Sequence, residues 1–69
     1  MKIQNIGNIL KERREFFRLR QEDLSEMSGV GIKTIHLIEK GEGNPSIHTL
    51  VKLLTILGME LEIKIKTTD

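Results

Sequence analysis

The segment Gln21–Lys40, QEDLSEMSGVGIKTIHLIEK, constrains the fold more than any other stretch of this chain. It reads as two short helices joined by a tight turn. Gly29 supplies the positive φ that a sharp helix-to-helix turn needs. Ser25 is a small residue, and Leu24, Val30, Ile35 and Ile38 are spaced to lock the two helices against each other. The second of them, about Ile32 to Lys40, has Gly31 near its N-cap and Gly41 as its terminator.

Two further helices flank this unit. The first is expected over about Gln4 to Phe17, where Ile6, Ile9, Leu10, Arg13, Phe16 and Phe17 recur at helical spacing. Phe17 fits the core and Phe16 is partly covered. The last follows the loop GEGNPS, in which Pro45 pushes Asn44 out of helical geometry. Ser46 is a good N-cap for a helix from Ile47 to Leu57, closed by Gly58. On that helix Ile47, Leu50, Val51, Leu54 and Leu57 form an apolar arc with Leu53 at its edge, while Ile56 falls on the far side. Leu53 and Ile56 are therefore expected to bury a partner helix.

From Met59 onward the period changes to two: Met59, Leu61, Ile63 and Ile65 alternate with Glu60, Glu62, Lys64 and Lys66. That alternation predicts a half-buried β-strand. Its backbone groups need a partner, and no second strand is predicted within the chain. The economical partner is the same strand of a second copy about a two-fold axis, with Leu61, Ile63 and Ile65 in the contact. The domains are then 1–58, with the two-helix unit at about 21–40, and a dimerisation strand and tail at 59–69.

At 69 residues the chain supports one small core. It has no cysteine, which removes disulfides and cysteine-bound zinc, and no apolar run reaches the roughly 18 residues of a membrane span. A cytoplasmic, nucleoid-associated location and no membrane partner are expected. The net charge is +1, with a local maximum at Lys11, Arg13, Arg14, Arg18 and Arg20 against Glu12 and Glu15. Charge alone reads as a solvated, salt-bridged helix face. His36 and His48 lie in different elements without ligand company, so no metal and no cofactor are expected. No nucleophile–base or paired-carboxylate arrangement is present, and the chain reads as no enzyme.

On the third helix Ile35, Ile38 and Glu39 cluster on one side. Lys33, His36, Leu37 and Lys40 lie on the other, with Ile32 at the leading edge. A helix-turn-helix presents such a second helix to the DNA major groove. Lys33 can donate to guanine O6 or N7, His36 can bond a base edge or phosphate, and Ile32 and Leu37 can touch thymine methyl groups.

Residues 6–58, about three quarters of the chain, resemble the lambda repressor-like (Cro/Xre) class of DNA-binding domains. Arg14, Leu19, Gln21, Leu24, Gly29, Val30, Ile35, Glu39, Gly41, Pro45, Ser46 and Leu50 carry the resemblance. It implies a mainly α, four-to-five-helix domain, here with a short C-terminal β-strand pairing across a homodimer. It further implies base reading by Ile32, Lys33, His36 and Leu37. Backbone contacts would come from Gln21, Thr34, Lys40, Asn44 and Ser46, and Arg14 and Glu39 would form a buried scaffold ion pair. Two departures stand out: Arg18 where the class usually has Gly, and Arg20 where it has Ser or Thr. Both replacements are expected to add positive charge beside the DNA backbone and to weaken local capping.

The tail LGMELEIKIK resembles that of HipB-type antitoxins, which implies an autoregulatory repressor of inverted-repeat operator DNA with a HipA-like serine/threonine kinase toxin as partner. The alternatives are a stand-alone Xre-family regulator without a toxin, and an enzyme-inhibiting interaction module with incidental DNA binding.

Overall fold

The computed structural model describes residues 3–66. Four helices stand among them: α1 (Ile3–Phe16), α2 (Gln21–Ser28), α3 (Ile32–Glu39) and α4 (Ile47–Ile56). α1 and α2 both pack on α3, and α4 packs on α2. Leu10, Leu24, Val30, Ile35, Ile38, Leu50, Leu53, Leu54 and Leu57 form the buried core.

Gly7 in α1 permits a close approach of that helix to α3. A side-chain carbon there would collide with the Ile38 carbonyl oxygen and lie 3.2 Å from that of Glu39. α1 thus rests directly on the backbone at the end of α3.

The first helix ends one residue earlier than its apolar spacing predicts, and this changes the fate of both phenylalanines. Arg18 takes a left-handed conformation, φ 57°, and turns the chain away from the helix axis. Leu19 then reaches the edge of the core. Phe17 is 45% exposed and Phe16 69% exposed, so the expectation that Phe17 belongs to the core is corrected. The two rings meet edge to face at 5.1 Å. The Arg13 guanidinium lies over both, at 4.9 and 4.7 Å from their centroids.

α4 is rotated relative to the predicted arc. Leu50, Leu53, Leu54 and Leu57 face inward, while Ile47 and Val51 are exposed. Leu53 has no accessible surface within its own chain. The expectation that it contacts a partner helix is therefore corrected. Ile56 packs part-buried against the same core. The helix is apolar around most of its circumference, so periodicity alone does not choose its inner face. The four leucines choose it by filling the space over α2.

At the N-terminus of α4, Ser46 Oγ accepts the Thr49 N–H at 3.1 Å. At its C-terminus, Arg13 Nε donates to the Leu57 carbonyl at 2.9 Å. Gly58, φ 70°, redirects the chain so that the Met59 N–H returns to the Leu54 carbonyl at 2.8 Å. Residues 59–66 beyond it hold neither helix nor a strand ladder in the single chain. Met59 and Leu61 lean on the core, whereas Ile63 and Ile65 are 85% and 94% exposed.

Candidate nucleic-acid interface

The turn between α2 and α3 is built from short side chains. Gly29 closes α2 in the left-handed region, φ 77°, and its N–H returns to the Ser25 carbonyl. Ser25 Oγ donates to the Val30 carbonyl at 2.6 Å. Ser28 Oγ accepts the Val30 N–H at 3.1 Å. Val30 is buried between them, so the turn is pinned to the core by one apolar side chain and two hydroxyls.

α3 is fixed at its far end by Glu39. Arg14 donates to it twice, Nε to Oε2 at 2.7 Å and Nη2 to Oε1 at 2.9 Å. Gln21 Nε2 adds a third donor at 3.1 Å. The remaining Arg14 nitrogen, Nη1, donates to the Leu19 carbonyl at 2.6 Å. The Glu39 carboxylate ties α1, the start of α2 and the end of α3 together, and Arg14 adds the α1–α2 loop. Arg14 and Glu39 are each only 8% exposed. Burial pushes the Glu39 carboxyl up, but the hydrogen bonds from Arg14 and Gln21 outweigh it and hold the group below its ordinary range. The hydrogen bond to Glu39 raises Arg14 in turn.

With Ile35, Ile38 and Glu39 buried, the outer side of α3 is left with Ile32, Lys33, Thr34, His36 and Lys40, all exposed. Leu37 differs from the sequence expectation of a freely presented side chain. It is half-buried and shares a shallow groove with Gly43, Asn44 and Pro45. The loop after α3 folds back over it, and the Glu42 N–H bonds the Leu37 carbonyl at 2.9 Å. Lys40 Nζ sits 3.7 Å from Glu42 at the surface. Asn44 is exposed beside the N-terminus of α4. Ser46 uses its oxygen as the helix cap and also donates to Thr49 Oγ1 at 3.0 Å. The surface formed is one exposed helix face flanked by the start of α2 and the start of α4.

The basic run at 11–20 does not act as one patch. Arg14 is spent on Glu39 and Arg13 on Leu57 and the phenylalanine rings. Arg20 pairs with Glu22 at 2.6 Å and with Asp23 at 3.0 Å. Asp23 Oδ2 also accepts the Arg20 backbone N–H at 2.8 Å. Capping of α2 thus comes from its third residue, which corrects the expected weakness at Arg20. Hydrogen bonds from Arg20 hold the half-buried Asp23 carboxyl down. Among the described residues Lys11 and Arg18 make no ion pair. The structural parts played by Gly7 and Arg13 were not legible from the sequence. Gly7 had no turn signal, and Arg13 stood in an apolar stripe without a named partner.

Residues 10–64 match the helix-turn-helix family model HTH_3. The chain is 40% identical over 55 residues to an uncharacterized HTH-type transcriptional regulator of Methanocaldococcus jannaschii, covering 80% of this chain and 83% of that protein. It is 44% identical over 50 residues to another from Haemophilus influenzae, covering 72% and 51% respectively. A putative HTH-type transcriptional regulatory protein of Methanococcus vannielii is 38% identical over 63 residues. There the match covers 91% of this chain but only 19% of the longer protein. Among the described residues no helix is long and apolar enough to cross a membrane.

Proposed function

The chain belongs to the HTH_3 helix-turn-helix family, and from that premise we propose that it is a sequence-specific DNA-binding transcriptional repressor acting as a homodimer. The observation that carries this reading is the division of α3. Its inner side is fixed by Ile35, Ile38 and the Glu39 node, and its outer side presents Ile32, Lys33 and His36 with none of them in a side-chain hydrogen bond among the described residues.

Ile32, Lys33 and His36 read base edges in the major groove, with Leu37 contributing only its exposed edge. Gln21, Thr34, Lys40, Asn44 and the N-terminus of α4 at Ser46 meet phosphates. The Ser46 hydroxyl is already committed to its helix, so its contribution is to keep the backbone N–H groups of that helix end oriented. Two copies related by a two-fold axis read inverted half-sites roughly 34–36 Å apart, and residues 59–66 pair between the copies as an antiparallel ribbon.

The experiment is a footprint of the protein on its own upstream region, with Lys33→Ala and Lys40→Ala in parallel. Lys33→Ala should relax base preference. Lys40→Ala should weaken binding to all sequences alike and lower the salt slope by about one. The reverse assignment of the two effects, or a footprint with no sequence preference, would overturn the reading.

The likeness of the tail to HipB-type antitoxins supports a finer reading, in which the repressor governs its own operon and holds a HipA-like kinase inactive. Co-purification with the product of an adjoining kinase gene tests it. A chain with no such neighbour is a stand-alone regulator.

A further inference from the structure

The tail carries a pattern that DNA binding does not use. Met59 and Leu61 are half-buried against their own domain, beside Val51 and Leu54 of α4. Two and four residues further on, Ile63 and Ile65 are 85% and 94% exposed. Val51 itself remains 42% exposed at the edge of the same groove. Each domain therefore has an apolar edge that its own tail covers only halfway, and each tail has an apolar end with nothing to cover. The exit of the tail is fixed by Gly58 and by the Met59–Leu54 backbone bond.

Charge decides how two such tails fit. Glu60 and Glu62 precede Lys64 and Lys66. In an antiparallel pair with Ile63 opposite itself, Glu62 faces Lys64 and Glu60 faces Lys66, and both contacts occur twice by symmetry. Sliding one strand by two residues puts Glu62 opposite Glu62, or Lys64 opposite Lys64, on the axis. Sliding by one residue sets apolar side chains opposite charged ones. A parallel, in-register pair stacks like on like throughout. Directly opposed like charges destabilise and opposite charges stabilise a strand pair, so one register satisfies every charged position.

We infer that residues 60–66 of two copies pair antiparallel with Ile63 on the two-fold axis, so that the partner's Ile65 lies beside Leu61 and covers the half-open edge at Val51. This rests on the strand-paired dimer proposed above and names its register. In that register the bare end of each tail meets the uncovered edge of the other domain. The two exposed features seen in one chain are complementary halves of one contact.

The chain has no cysteine, which makes single-cysteine variants clean reporters. Under a mild thiol–disulfide buffer, Ile63→Cys should form a disulfide-linked dimer, because opposed residues in an antiparallel pair stand at disulfide distance. Glu62→Cys and Lys64→Cys should each stay free alone and cross-link when mixed. In sedimentation equilibrium, Glu62→Lys should weaken the dimer by roughly tenfold, and the exchanged variant Glu62→Lys with Lys64→Glu should recover to within about threefold. A dimer in which Ile63→Cys stays free while Glu62→Cys or Lys64→Cys links to itself overturns the register and leaves the dimer standing. A chain that sediments as a monomer, with no cross-link at any of the three positions, overturns the strand-paired dimer itself.

Discussion

Glu39→Leu removes the acceptor of three hydrogen bonds and leaves the Arg14 guanidinium in place, only 8% exposed. Arg14 cannot turn to solvent without also giving up the Leu19 carbonyl. Breaking a buried pair from one side costs about 3–5 kcal/mol. A domain of this size holds roughly 3–10 kcal/mol in all, so the variant should unfold at a small fraction of the parent urea midpoint or be unfolded in water. The double variant Arg14→Met, Glu39→Leu removes both charges together. What it still loses is the donor to Leu19 and the acceptor of Gln21, about 1–2 kcal/mol. Urea titration followed by far-ultraviolet circular dichroism measures all three proteins, and unchanged slopes show that the same transition is compared. Acid adds a second reading. The Glu39 carboxyl is held below its unfolded value of about 4.3, so the stability it contributes is present above that pH and is lost as pH falls through the lower folded value. The parent should therefore lose stability in acid more steeply than the double variant. If the double variant is as unstable as the sum of Arg14→Met and Glu39→Leu measured alone, the two residues are not coupled and the argument fails.

Gly7→Ala should destabilise by about 1–3 kcal/mol through overpacking against the Ile38 carbonyl, even though alanine is the better helix former by about 1 kcal/mol; a raised melting temperature would refute the close approach. Arg18→Gly should stabilise by about 0.5–1 kcal/mol, because relief of a left-handed residue, about 1–2 kcal/mol, exceeds the extra freedom glycine brings to the unfolded chain; thermal melting reads this directly. Leu53→Ala should cost about 2–5 kcal/mol in monomer stability, since its side chain is wholly buried within one chain. An effect confined to dimer dissociation would return Leu53 to the interface.

Helices α2, α3 and α4 were legible because each begins or ends on a residue with a local reason, whereas α1 stops at a left-handed Arg18 that no local rule announces. Gly29, Ser46 and Gly58 stop or start the chain by backbone conformation or capping, which needs no tertiary knowledge. The core side of α3 was legible for the same kind of reason, since Ile35 and Ile38 are its only apolar residues on one side. Position in three dimensions was less visible. Phe17 reads as core on spacing, but a left-handed Arg18 ends the helix beneath it. α4 offers two overlapping apolar faces, and only packing over α2 selects the one with Leu53. Arg13 and Arg20 count as positive charge in the sequence, while in the fold their charge is used at Leu57 and Asp23. On the candidate site, the outward set Ile32, Lys33 and His36 followed from helix geometry, whereas the partial covering of Leu37 depends on a loop whose return path has no sequence rule.

The Glu39 node has a consequence for how such a protein changes over generations. The side-chain restraints on α3 act at Ile35, Leu37, Ile38, Glu39 and the turn at Val30, and no side-chain hydrogen bond or ion pair among the described residues passes through Ile32, Lys33 or His36. Substitutions at those three positions are therefore almost free of folding penalty, within about 0.5 kcal/mol as for other exposed sites. Lineages that keep the node can exchange the outward residues one at a time without passing through an unfolded intermediate. The domain is built as a holder with an interchangeable insert, and divergence among its relatives should concentrate on the insert.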